Sequence, residues 1–265
     1  MDNQKNLLLA VIFSIIVLVG FDFLFNPKKN SQTQPNIKND IISKESNSDL
    51  PTISKSPNLA STEIKEKRLY FNANRLEGSI NLYGATIDDL VLSDYFKTIK
   101  REKKVRVLEK EDSTSPYFLR MGWASTDKTL ELPGKDALWV ASKNKISKGD
   151  KIVLKWENKN GLKFLRNISF DENFMITVED EVLNQSQNTV ELTNFSYIRR
   201  KNHIPENKFF ILHEGPLGVF NDTLKEISYD DIEENEIIES SKNGWIGYTD
   251  HYWQVAIFPD TEEPF

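Results

Sequence analysis

Three histidines, His203, His213 and His251, are the only side chains of the chain whose ordinary charge change falls near neutral pH. No two stand four residues apart and none sits in an H-E-x-x-H frame, so no helix-borne metal pair is written here. Two of them could converge with a carboxylate and serve as acid and base in a pocket. Strand ends or the surface are the plainer places for them. The densest charge is the acidic run Asp230, Asp231, Glu233, Glu234, Glu236 and Glu239. It lacks the glycine and alternating oxygen ligands of a calcium loop. It reads as a solvated loop or short helix, and its functional version is electrostatic contact with a basic partner. Acids are plentiful enough for glycosidic chemistry, but spacing along the chain does not give their separation in space. No phosphate loop, dinucleotide fingerprint or nucleophile elbow is present, and Gly122 and Gly134 read as isolated turn glycines. The chain has no cysteine, which excludes disulfides, cysteine-ligated zinc, iron–sulfur clusters and thiol catalysis. Neither a cofactor nor a metal is expected.

The elements that would carry these residues are strands. Apolar and polar residues alternate at Ile80 and Leu82, Val105 and Val107, and Ile152, Leu154 and Trp156. The pattern continues at Leu162, Phe164, Ile168 and Phe170, at Ile176 and Val178, at Val190 and Leu192, at Phe209 and Ile211, and at Val255 and Ile257. Such alternation sets one face of each strand on a core and the other in water. Glycine, Asn, Asp and Pro clusters separate the runs at a spacing that suits a sandwich. The clearest hairpin joins residues 151–157 to Leu162 through Asn158-Lys159-Asn160-Gly161. No stretch after Phe25 keeps a helical period over three turns, and no fixed-period repeat points to a propeller or solenoid. The fold expected is mainly antiparallel β with sheet-on-sheet packing. The aromatic stretch from Gly244-Trp245 to Tyr252-Trp253 brackets a turn. It reads first as the packing of a strand pair and, functionally, as an exposed aromatic cluster for a partner.

The first 61 residues are of a different kind. Residues 7–25, including Leu7, Ile12, Ile16, Leu18 and Phe21, carry no charge except at Asp22. A helix over them is about 28 Å long, close to the hydrocarbon thickness of a bilayer. A transmembrane anchor is expected over 1–25 rather than a cleaved signal peptide. The segment before it is barely basic, the apolar run is long, and no Ala-x-Ala lies near its end. Asp22 falls near the headgroups, and charge alone does not set the orientation. Residues 26–61 are rich in Asn, Ser, Lys, Thr and Pro and contain no aromatic residue, which makes them a polar tether. The remainder, 62–265, is the folded domain. A net charge of −6 excludes the basic surface that nucleic acid requires.

Three stretches together resemble one family. Met1-Asp2-Asn3-Gln4-Lys5-Asn6-Leu7-Leu8 is similar to the opening of the YidC membrane protein insertases of Gram-negative bacteria. Gly78-Ser79-Ile80-Asn81-Leu82-Tyr83-Gly84 with Ala85 to Leu90 resembles the first strand pair of that family's periplasmic domain. Gly244-Trp245, Tyr252-Trp253 and Ile257-Phe258-Pro259 resemble its late aromatic element. The resemblance implies an inner-membrane protein with a cytoplasmic N-terminus and a periplasmic β-supersandwich similar to galactose mutarotases. It implies a non-enzymatic role: insertion and folding of nascent inner-membrane proteins, alone or with the Sec translocon. The family's contact with Sec accessory subunits maps to residues 209–244, with Phe209, Gly215 and Tyr229, and leads up to Gly244 and Trp245. In the family a bundle of further transmembrane helices follows this domain. The chain stops at Phe265 within the β domain and is therefore expected to be a fragment that supplies anchor and scaffold. The alternative from a different class is a membrane-tethered carbohydrate-binding or epimerase-like domain.

Overall fold

Alternation is strongest over residues 162–170, and the most regular strand lies there. The computed structural model describes residues 66–201, 213–234, 236–260 and 264–265. The anchor residues Leu7, Ile12, Ile16, Leu18 and Phe21, the tether, His203, Phe209 and Ile211 lie outside the described residues. Among the described residues no helix is long and apolar enough to cross a membrane.

Among the described residues fifteen strands form three sheets. The largest holds β1 (Arg68–Ala73), β2 (Leu76–Asn81), β3 (Thr86–Phe96), β4 (Lys104–Leu108), β5 (Tyr117–Ala124), β7 (Lys145–Ser147) and β11 (Thr193–Arg200). Its order is β11-β5-β3-β2-β1-β7, and β4 also pairs with β3. All its ladders are antiparallel except that of β1 with β7. The second sheet runs β10-β9-β8-β6, from β10 (Ile176–Asn184), β9 (Leu162–Phe170), β8 (Ile152–Glu157) and β6 (Val140–Ala141). The third runs β13-β12-β14-β15, from β13 (Thr223–Glu226), β12 (Gly215–Phe220), β14 (Gly244–Thr249) and β15 (Gln254–Ile257). The single helix among the described residues is α1 (Tyr229–Glu234).

The first two sheets pack face to face. Leu69, Phe71 and Ile80 of the first are buried against Leu154, Phe164 and Ile168 of the second, and the rings of Phe71 and Phe170 lie 4.9 Å apart. Along β9 every second residue is buried, as the alternation requires. The buried series includes Arg166, an ionic residue among apolar ones. The β8–β9 turn is where the Asn-Gly signal placed it. Gly161 takes the positive φ, and Asn158 Oδ1 accepts the amides of Asn160 and Leu162, both at 2.9 Å.

Two local readings are corrected. Gly122 is not in a turn: it lies inside β5 opposite Phe195, whose ring covers the place of a Cβ at 2.7 Å. Val190 and Leu192 alternate but precede β11 as irregular chain, since both pack on the core from a loop. The aromatic stretch does form a strand pair, β14 and β15, joined through residues 250–253.

Candidate functional site

Two surface features stand out, a groove and an acidic edge. The groove opens where the three sheets meet and encloses about 1170 Å³. Ile87, Leu90 and Leu119 of the first sheet line it, with Val178 of β10 on one side and Val255 and Ile257 of β15 on the other. Tyr95, Phe174 and Trp253 cluster at the groove, with Tyr95–Trp253 at 4.9 Å and Tyr95–Phe174 at 6.0 Å. Asp180 reaches it from β10, where its carboxylate takes a two-pronged bond from Arg166, 2.7 Å from Nε and 2.6 Å from the terminal nitrogen.

No histidine among the described residues lines this groove. His213 Nε2 lies 2.9 Å from the Pro216 carbonyl, and His251 Nδ1 lies 3.8 Å from Glu214. Among the described residues no three His, Asp or Glu side chains gather as metal ligands. The acid–base arrangement that a sugar epimerase needs is thus not assembled in the groove by His213 or His251.

The acidic edge begins at α1. Ser228 caps it: its hydroxyl accepts the Asp231 amide at 3.1 Å, while the Asp231 carboxylate accepts the Ser228 amide at 3.2 Å. The Ser228 hydroxyl also donates to the Asp231 carboxylate at 2.7 Å, and this bond, with that from the Ser228 amide, holds the Asp231 carboxyl below its ordinary value. No residue of α1 is buried. Exposed aliphatic side chains stand among the acids: Leu224, Ile232, Ile237 and Ile238, the last 67% exposed. Apolar residues exposed beside charge are the composition of a contact surface.

Of the residues mapped to partner contact, Gly215, Gly244 and Trp245 lie on the third sheet and Tyr229 on α1, not at one spot, while Phe209 lies outside the described residues. Gly215 is the first residue of β12 and is buried; a Cβ there would meet the Ile227 carbonyl at 2.8 Å. Its requirement is for close backbone packing, so it offers a partner no side chain. Tyr229 opens α1 near the same end and stacks on Tyr248 at 6.4 Å. Gly244 pairs with Phe220 at the opposite end of β12, about 17 Å away at 3.4 Å per residue. At Gly244 φ is +136° and a Cβ would overlap the Val219 carbonyl, so only glycine fits. Trp245 is half-buried with its ring 5.9 Å from that of exposed Phe258. Tyr229 and Trp245 therefore present side chains, while the two glycines shape the sheet beneath them.

Sequence reasoning missed Arg200. It ends β11, and its guanidinium sits 4.5 Å over the Tyr117 ring, donates to Asp250 at 2.5 Å and reaches the Tyr229 hydroxyl at 3.3 Å. Burial works against its charge, but Asp250 more than offsets this and the Arg200 value is raised. Burial raises the phenols of Tyr117 and Tyr248 and pushes Tyr229 up to about 12, so all three stay protonated. Nothing in the periodicity of residues 193–200 marks one arginine as different from its neighbour Arg199.

The fold and surface define a class: a large antiparallel β domain whose distinctive features are an apolar groove and an acidic, aliphatic edge. A family model described as the YidC periplasmic domain matches residues 68–265. The membrane protein insertase YidC of Pelagibacter ubique is 30% identical over 275 residues, which cover 99% of this chain and 48% of the relative. Its counterparts in Rickettsia bellii and Rickettsia canadensis are 31% identical over 266 residues and 32% identical over 264, each covering 98% of this chain and 47% of the relative. The chain belongs to the YidC membrane protein insertase family. It spans about half the length of the curated relatives it matches.

Proposed function

We propose that this chain is the anchor and periplasmic domain of a membrane protein insertase, which inserts and helps fold nascent inner-membrane proteins, alone or with the Sec translocon. The observation that carries this is the match to the YidC periplasmic domain over residues 68–265, with curated insertases similar over nearly all of this chain. In this reading residues 7–25 cross the inner membrane with the N-terminus in the cytoplasm, 26–61 tether the domain, and the three sheets form a periplasmic β-supersandwich. The domain is a scaffold and interaction module, not an enzyme. Its contact with Sec accessory subunits involves the third sheet, with Tyr229 and Trp245 offering side chains and Phe209, Gly215 and Gly244 on the same stretch.

The absence of cysteine makes the test free of background. Asn3→Cys and Lys242→Cys, made separately in the full chain, are exposed in intact spheroplasts to a maleimide that does not cross membranes. Lys242→Cys is expected to be labelled at once, and Asn3→Cys only after lysis. Labelling of both or of Asn3→Cys alone overturns the orientation. A photocrosslinker at Tyr229 in the same cells is expected to yield an adduct with a Sec accessory subunit. Adducts at a control site such as Lys159 but not at Tyr229 would remove the partner assignment.

A further inference from the structure

The chain leaves the seven-stranded sheet at Arg200, the last residue of β11, and enters the third sheet at Gly215. At this handover a single guanidinium contacts three other elements. Arg200 lies over Tyr117 of β5, which is its register partner across the ladder. It bonds Asp250 in the turn between β14 and β15, and it reaches Tyr229 at the start of α1. The tyrosines continue the contact, since the Tyr248 ring of β14 packs on both Tyr117 at 6.1 Å and Tyr229 at 6.4 Å. The Arg200 side chain is only 10% exposed, so the ion pair with Asp250 is poorly screened by water. A planar guanidinium suits this place: it stacks flat on a ring while one terminal nitrogen donates to both acceptors, and a lysine ammonium cannot reproduce that stacking.

We infer that Arg200 is a latch that holds the third sheet and α1 against the seven-stranded sheet, and so fixes where the acidic edge is presented. Among the described residues β12 forms ladders with β13 and β14 and none with the first sheet. Tyr95–Trp253 and the buried Ile257 also hold the β14–β15 turn and β15, so loss of the latch loosens the Tyr229 side first. The inference concerns how the domain holds together and stands whether or not a Sec subunit is the partner.

Hydrogen exchange read by mass spectrometry on the full chain in detergent micelles tests it. Arg200→Met keeps stem volume and removes the guanidinium. Exchange is expected to rise at least about tenfold in peptides covering 215–234 and 244–250, because a charged hydrogen bond and its partners are lost. Peptides of β8 and β9 are expected to keep their rates. Arg200→Lys is expected to recover less than half of the lost protection, because charge alone does not rebuild the stacking. No change in 215–250, or an equal rise in all sheets, overturns the latch. If Arg200→Met does not fold, Asp250→Asn and Tyr229→Phe each remove one contact. Each must then raise exchange selectively in the same peptides, and a uniform or absent response overturns the inference.

Discussion

Asp88 is the extra residue where the β2–β3 register shifts, since Ser79 pairs with Asp89 and Ile80 with Ile87. The bulge is associated with two adjacent carboxylates that both meet polar partners. Arg68 donates to Asp88, while the Ser79 hydroxyl at 2.5 Å and Arg106 serve Asp89. Asp88 is 1% exposed. Burial, then the neighbouring Asp89, push its carboxyl above the ordinary value against the pull of Arg68 and the Glu111 amide. A carboxyl raised on folding takes up a proton, so its contribution is fully favourable below the ordinary value and declines as pH rises through the raised one. Exposed Asp127 and Asp231 and half-buried Asp150, all lowered, lose their small contribution as pH falls through their folded values. Near the low end of that window the parent carboxyl is itself neutral, so we expect Asp88→Asn to cost only about 1 kcal/mol there, through altered hydrogen bonds to Arg68 and the Glu111 amide. The gap to the parent should shrink as pH rises from the ordinary carboxylate value toward neutrality. Chemical denaturation at a series of pH values checks this, and a gap that is constant or widens with pH contradicts it.

At the scale of elements, β9 and β10 are held by more than their ladder. Arg166 and Asp180 are register partners, and Arg166 is 1% exposed with its guanidinium 5.3 Å from the centre of the Trp139 ring. Removing one member strands a buried charge, so Asp180→Ala should cost about 3–5 kcal/mol. The double replacement Arg166→Met with Asp180→Leu should cost far less, because a packed apolar pair carries no desolvation penalty. Urea melts of Asp180→Ala, of Arg166→Met and Asp180→Leu singly and of the double replacement measure both, and an additive double mutant would show that the pair is not coupled. The pair also marks the boundary of what was legible. The β8–β9 hairpin could be read because its alternation and its Asn-Gly turn are local. The β14–β15 pair could be read for the same reason. Arg166 could not, because its partner lies across a ladder and its exposure is set by the facing sheet. Val190 and Leu192 misled because a loop lying on a core can alternate as a strand does. Of the candidate surface, the residues themselves showed the acidic run and the aromatic stretch that holds Trp245. Tyr229 came through family resemblance, and Arg200 through neither, since its partners come from three separate elements.

For the whole molecule the governing quantities are charge and its placement. The chain carries a net charge of −6, and its densest acids surround the exposed Ile232, Ile237 and Ile238. Acids alone are solvated and attract little at physiological salt; aliphatic side chains alone would invite indiscriminate association. Together they favour a partner with an apolar patch inside a basic rim. The charged part of such a contact steers the encounter and the apolar part holds it. The two contributions separate by salt. Between about 0.01 and 1 M salt the screening length falls from about 30 to about 3 Å, so steering fades while apolar burial persists. For the proposed partner, replacing Glu233, Glu234 and Glu236 together by Gln should lower the association rate at low salt about tenfold or more and leave the dissociation rate nearly unchanged. Ile237→Ser with Ile238→Ser should do the reverse, raising dissociation at every salt concentration. Surface-plasmon kinetics with the full chain held in nanodiscs distinguishes them. An association rate indifferent to both salt and the Gln replacements would place the contact elsewhere on the domain, with the groove between the three sheets the next surface to probe.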